Sequence, residues 1–426
     1  MGELLFLSHR IPYPPNKGDK IRSWNFLRHL AQRYSVRLAC LIDHPRDLEY
    51  VAKLRSICAE VIAVELDPLA ARLRYLGSLL ARQPLSCGHF RHPALRRAVE
   101  TLFDRVAFDR AFVFSSPMAG YVLHRPGLAQ RTVVDMVDVD SDKWRQFAAV
   151  RAWPQRSIYA YEARRLLEFE RRVAGACAAS LFATEAEADL FRRLAPETAA
   201  RIRDVSNGVD AEFFSPDRAY ENPYPDGAPV IVFTGAMDYW PNVEAVVWMA
   251  REVMPRLASR GLAARFYIVG SNPTAAVHRL SRAKEIVVQD AVPDVRPYLR
   301  HAAAAVAPLR TARGVQNKVL EAMAMACEVV VSPQALQGIQ AVPGRDLYQA
   351  ASVDEFASTL AKAVAAGTGQ ALGRAARRYV LAMHDWQSSF RRLDAILENL
   401  DANQTFDASG TAEPARAASA GPGRPI

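Results

Sequence analysis

The sequence has no CxxC pair, no cluster of histidine with cysteine and no long apolar run. Its five cysteines, Cys40, Cys58, Cys87, Cys177 and Cys327, are scattered and odd in number. That pattern builds neither a disulfide framework nor a structural zinc site, and it suits a reducing compartment. No apolar stretch approaches the roughly 18 residues that a membrane span needs. The opening MGELLFLSHRIPYPP lacks the basic start and long apolar core of a signal peptide and reads as a strand. No repeat of solenoid period is visible. Basic residues are not interleaved with aromatics in one stripe, so a nucleic-acid partner is not indicated.

What is present is globular. Of 426 residues 50% are apolar and 23% charged, enough to bury sizeable cores in two domains. The net charge of +9 is unevenly placed. Residues 1–204 carry 32 Lys and Arg against 23 Asp and Glu, whereas residues 205–426 carry 22 of each. The whole excess therefore lies in the first half and points it toward an anionic partner or surface.

Apolar runs at 4–8, 36–42, 61–66, 111–114, 132–136 and 181–183 alternate with helical patterns, so residues 1–204 read as a doubly wound parallel sheet. The Asn-Gly turn at 207–208 closes this half, and 215–229, rich in Pro, Asp and Asn, reads as an interdomain linker. The alternation then restarts. Strands are expected at 230–234, 264–269 and 286–289, with a helix over 242–260 that Asn242 or Asp238 would cap. Helices follow at 352–366, 370–383 and 386–400. The tail 401–426, rich in Ala, Gly, Pro and Ser, is expected to be disordered. The layout is two α/β domains facing each other across a cleft.

One stretch stands out within the second half, AAAAVAPLRTARGVQNKVLEAMAMACEVVVSP over 302–333. It reads as strand, loop, helix and strand, the βαβ unit of a parallel sheet. Arg313 and Gly314 fall at the carboxyl edge of the sheet, where such folds bind ligands. Lys318 and Glu321 share one helix face. A glycine at a helix start with an arginine before it and a lysine one turn in would suit a diphosphate, and the glutamate a pair of sugar hydroxyls. A surface loop with a solvated Lys–Glu pair has the same spacing.

The stretches VSNGVD, VFTGAMDYWPNVEAV, FYIVGSNP and KVLEAMAMACEVVVSP, in this order, resemble the nucleotide-sugar glycosyltransferases of family 4, which have the GT-B fold. FLSHRIPYPPNKGDKIRSWNFLRHL, VVDMVDVDSDKW and ARGVQNKVLEAMA resemble more closely the sugar transferases that accompany the bacterial exosortase/PEP-CTERM system, which are linked to exopolysaccharide or envelope glycan assembly. The resemblance implies a cytoplasmic enzyme that transfers sugar with retention and without a bound metal or cofactor. Residues 1–204 would hold a glycan or lipid-linked acceptor and 205–385 the nucleotide-sugar donor. The 386–400 helix would cross back to the first domain.

The same resemblance assigns roles. Glu321 matches the glutamate that holds the ribose hydroxyls. The family's partner glutamate, eight residues earlier, is here Arg313, and the usual cations after the first donor-domain strand are missing from Gly235–Asn242. Arg313 and Lys318 would then supply the diphosphate charge, with Gly235 and Gly314 admitting phosphate to the backbone and Val292 beside the nucleobase. In the first domain, Gly18 stands where the family has a glycine-rich loop, Asp19 replaces its second glycine, and Lys20 and Arg22 would meet an acceptor phosphate. Asp138 follows a strand end where many relatives present a histidine to the donor sugar, and is the candidate catalytic residue. The 69–82 segment, with Arg72, Arg74 and Arg82, would dock on an anionic membrane surface, or else pack with its arginines in water. Two other readings share the fold: a sugar-nucleotide epimerase, and a relative that binds without catalysis, which Arg313 in place of glutamate favours.

Overall fold

The computed structural model describes residues 1–15, 17–225, 227–312, 314–366 and 371–409; within these, the side chains of 68, 69, 71–73, 76, 366 and 401–409 are not described. Strands β1 (Gly2–Ser8), β2 (Tyr34–Ile42), β3 (Glu60–Glu65), β4 (Arg110–Phe114), β5 (Thr132–Val137), β6 (Ala179–Phe182) and β7 (Ile202–Asp204) form one parallel sheet in the order β3-β2-β1-β4-β5-β6-β7. Strands β8 (Val230–Thr234), β9 (Arg265–Val269), β10 (Ile286–Gln289), β11 (Ala304–Ala307), β12 (Val329–Val331) and β13 (Tyr348–Gln349) form a second, in the order β10-β9-β8-β11-β12-β13. Both are doubly wound, as the alternation of elements predicts. Helices cover both faces, so central strands such as β8, VIVFT, are buried at every position.

Nine helices matter below: α1 (Gly18–Leu30), α2 (Pro68–Leu80), α3 (Leu85–Phe90), α4 (Asp140–Ala149), α5 (Gln155–Ala176), α6 (Glu185–Leu194), α7 (Trp240–Trp248), α8 (Asn317–Ala324) and α9 (Trp386–Ser409). The expected helix over 242–260 is α7 continued through a π turn at Met249–Val253 and an α turn at Met254–Ala258. Pro255, which cannot donate to the helical ladder, lies just past the π turn.

The segment expected to be a linker packs onto the second domain. Tyr224 is buried against Tyr267 and Tyr298 and donates its hydroxyl to Tyr298 O at 2.7 Å. The last helix crosses back as expected. Trp386, Phe390, Leu393 and Leu397 are buried with Phe26 and Phe112 on one face of the first sheet, and His29 stacks on Phe390 at 4.3 Å. It also runs further than expected, to Ser409, through nine residues of the tail expected to be disordered; residues 410–426 lie outside the described part. Among the described residues no helix is long and apolar enough to cross a membrane.

Each sheet reverses strand order once, between β1 and β4 and between β8 and β11. Ligands of open α/β sheets bind outside the strand ends at such points. Here the two points face each other across a cleft of about 1070 Å³.

Candidate functional site

On the second-domain side the floor of the cleft is the end of β8. Gly235 follows the strand at φ +150°, and a Cβ there would lie 3.0 Å from Asn242 Nδ2 and 3.1 Å from Lys318 Nζ. Glycine therefore lets an amide and an ammonium stand directly on the backbone. Lys318 Nζ donates to Asn242 Oδ1 at 2.5 Å and lies 4.5 Å from the centre of the Phe233 ring. Asn242 Nδ2 donates to Ala236 O at 2.9 Å, which fixes the amide's orientation. Asn242 is thus not the cap of α7. It sits inside the first turn and ties Lys318 to the β8 loop.

Lys318 and Glu321 lie on the cleft face of α8, half-buried. Burial pushes the Lys318 ammonium down to about 7 and the Glu321 carboxyl up to about 7, each opposed by the other's charge. Both are therefore poised near neutrality and respond to a ligand's charge. Among the described residues none donates a hydrogen bond to the Glu321 carboxylate.

Val292, in the loop after β10, lines the same wall. Arg313 lies outside the described residues. Its neighbour Gly314 has φ +59°, and a Cβ there would stand 2.6 Å from Asp138 Oδ1, so this loop abuts the first domain. Asp138 lines the cleft just after Val137, a β-branched residue at φ +67° beside an irregularity in the β5–β6 register. Such backbone strain concentrates at functional loops.

On the first-domain side, Gly18 and Asp19 open α1 and line the cleft. Asp19 accepts from Arg10 Nη1 at 2.8 Å and lies 3.4 Å from His9 Nε2. Burial opposes its charge, but His9 and Arg10 outweigh that and hold its carboxyl well below the usual range. Lys20 and Arg22 do not reach the cleft. Lys20 is buried and bonds Asp47 at 2.6 Å. Arg22 is 0% exposed, makes a two-point bond with Asp135 at 2.7 and 3.0 Å, and donates to Val205 O and Asn207 Oδ1. The helical period turns both positions inward, where they tie α1 to neighbouring elements instead of meeting an acceptor phosphate.

Several further residues line the cleft. His9 and Arg10 follow β1 at the switch point, and His9 stacks on Phe114 and meets the Phe90 ring edge-to-face. Lys143, on α4, pairs with Asp140 at 3.4 Å, and that charge raises its pKa above the usual lysine value. Tyr239 faces them from the second domain. Their shared signal is position: His9 and Arg10 follow β1, Lys143 follows β5 and Tyr239 follows β8, at the carboxyl edges of the two sheets. Of the arginines in 69–82, the Arg72 side chain is not described, Arg74 on α2 is half-buried and donates to His89 O, and Arg82, just past α2, is exposed. No group of three or more His, Cys, Asp or Glu side chains could hold a metal ion among the described residues.

Residues 228–366, most of the second domain, match the family model described as glycosyl transferases group 1. No curated protein sequence matches the chain. Solved structures do. Sucrose-phosphate synthase (tll1590) from Thermosynechococcus elongatus superposes with a TM-score of 0.70 at 14% identity, over 96% of this chain and 100% of that one. Anabaena Alr3699/HepE in complex with UDP-glucose gives 0.64 at 12% identity, over 94% and 100%. The α,α-trehalose 6-phosphate synthase of Burkholderia multivorans gives 0.65 at 12%, over 95% and 100%. At these identities the likeness is one of fold. The chain thus has the GT-B fold, two Rossmann-like domains about a cleft, and residues 228–366 of the second domain match the family model of glycosyl transferases group 1.

Proposed function

We propose that this protein transfers a sugar from a nucleotide-sugar donor to a glycan or lipid-linked acceptor, with retention at the anomeric carbon. The observation that carries the reading is the ammonium of Lys318 held by Asn242 over Gly235. It supplies the cation that the β8 loop lacks, where a diphosphate leaving group needs its charge neutralised. Glu321, one helical turn on, accepts two vicinal ribose hydroxyls, and Val292 borders the base. HepE is described in complex with UDP-glucose, a donor of this class. In the transfer the bond between the anomeric carbon and the phosphate oxygen breaks as the acceptor oxygen bonds to that carbon. The acceptor's proton passes to the leaving phosphate, so no enzymic base is required. Asp138 faces the donor sugar, and Gly18 and Asp19 border the acceptor. The likeness to exosortase-associated transferases supports a place in exopolysaccharide or envelope glycan assembly on the cytoplasmic side.

The test is a thermal-shift screen of nucleoside diphosphates and their sugars, followed by assay of nucleotide release. A diphosphate at about 100 times its Kd adds about 2.7 kcal/mol to stability and raises the melting temperature. The proposal fails if no nucleotide raises it. Stabilisation without turnover on any acceptor would favour a binding protein over an enzyme.

A further inference from the structure

The first domain carries an apolar, basic surface that the donor site does not use. From 68 to 99 the chain has six arginines and no Asp or Glu, and from 143 to 161 it has four cations and no Asp or Glu. The structure brings parts of these two stretches together. Tyr161 donates to Gln83 O at 3.3 Å, and Glu162 accepts from the backbone N–H groups of Leu85 and Ser86. The end of α2 therefore lies beside the start of α5. At α2 stand Leu79 and Leu80, the latter 87% exposed; in the α4–α5 connection stand Val150 at 72% and Trp153 at 81%, with Ile158 in the first turn of α5. Every residue from 149 to 158 is exposed. Arg82 follows Leu79 and Leu80 along the chain, and Arg151 and Arg156 fall within the exposed 149–158 run; all three are exposed, and none has an ion-pair partner among the described residues.

Large apolar side chains do not stay in water without cause when they cluster. Tryptophan beside aliphatics and unpaired arginines is the composition of a surface that lies in the headgroup region of an anionic bilayer. The patch also borders the cleft. Arg151 lies over the Trp240 ring at 5.6 Å, Phe147 packs on the same ring, and Ser86 and Phe90 of α3 line the cleft wall. We infer that the end of α2 and the α4–α5 connection form a docking surface for an anionic lipid bilayer, which sets the acceptor side of the cleft at the headgroups. The charge argument favours a bilayer over a second copy of the chain, whose own patch would bring cation against cation.

The test needs no transfer activity. The full chain is sedimented with vesicles of phosphatidylcholine alone and of phosphatidylcholine with phosphatidylglycerol. Binding is expected only to the anionic vesicles, and to weaken as salt rises. Replacing Arg82, Arg151 and Arg156 together by glutamine is expected to weaken it by about 100-fold. Trp153→Ser with Leu80→Ser is expected to abolish it. Both variants should keep the wild-type melting temperature, since these side chains are in water. Equal binding to both vesicles, no binding, or wild-type binding by the variants would overturn the inference. So would a wild-type dimer in solution that the Trp153→Ser and Leu80→Ser changes dissociate.

Discussion

Lys318 is the residue on which the proposed donor site turns. Burial lowers its pKa to about 7, so above neutral pH the free protein holds much of it uncharged. A diphosphate favours the ammonium and raises the pKa again. Binding at pH 8 should therefore take up a proton, and affinity should fall as pH rises from about 7. Calorimetry in buffers of different ionisation heat measures the uptake, and Lys318→Ala should remove it. The same variant should lower kcat/KM by about 100-fold, roughly 2.7 kcal/mol of transition-state stabilisation. A loss of threefold or less would dismiss the charge-neutralising role. Arg22 shows the opposite case, a cation near the cleft in sequence but wholly spent on Asp135, Val205 and Asn207.

Among the elements, α4 has a placement that responds to pH. It carries Lys143 and Trp144 to the cleft. Its first turn is held from outside: Glu170 of α5 accepts from Ser141 N and Oγ at 3.3 and 2.5 Å, and Glu187 of α6 accepts from Val139 N at 2.8 Å. Burial nonetheless raises these carboxyls to about 8 and about 7, with nearby Asp140 and Asp138 adding to the effect. A carboxyl whose folded pKa is raised binds more protons folded than unfolded. Its contribution is fully present below the unfolded value near 4.5 and is lost as pH climbs through the folded one. The melting temperature should therefore decline from about pH 5 to 8, and Glu170→Gln should flatten that decline. An unchanged slope in the variant would remove Glu170 from the account. The short elements β7 and β13, of three and two residues, escaped the sequence reading because so few positions carry no period.

At the scale of the molecule, the two domains are joined by two adjacent crossings. Val209 N donates to His384 O at 2.8 Å, and Ser389 Oγ donates to Ser206 O at 2.8 Å. Beyond them α9 completes the core of the domain that the chain has already left. Its Trp386, Phe390, Leu393 and Leu397 are each worth about 1.5–3 kcal/mol of burial before opposing terms. A chain ending at 385 should melt more than about 10 °C lower, the loss falling on the first domain. Calorimetry that found the first-domain transition unmoved would show that α9 is an appendage.

The order of strands and helices, the returning helix and the shared helix face of Lys318 and Glu321 were legible in the chain. Apolar period and glycine-ended strands are local properties, and they determine which elements form and where each sheet's carboxyl edge lies. Which polar side chains face the cleft is not local. Lys20 and Arg22 looked like cleft cations from their loop, and Asn242 like a helix cap, until neighbours 27 to 113 residues away in sequence claimed them. The basic excess of the first half was equally visible in composition. Only the packing of α2 beside the start of α5 gathered part of it, with exposed leucine and tryptophan, into one surface, because side chains distant along the chain meet only when the tertiary fold closes.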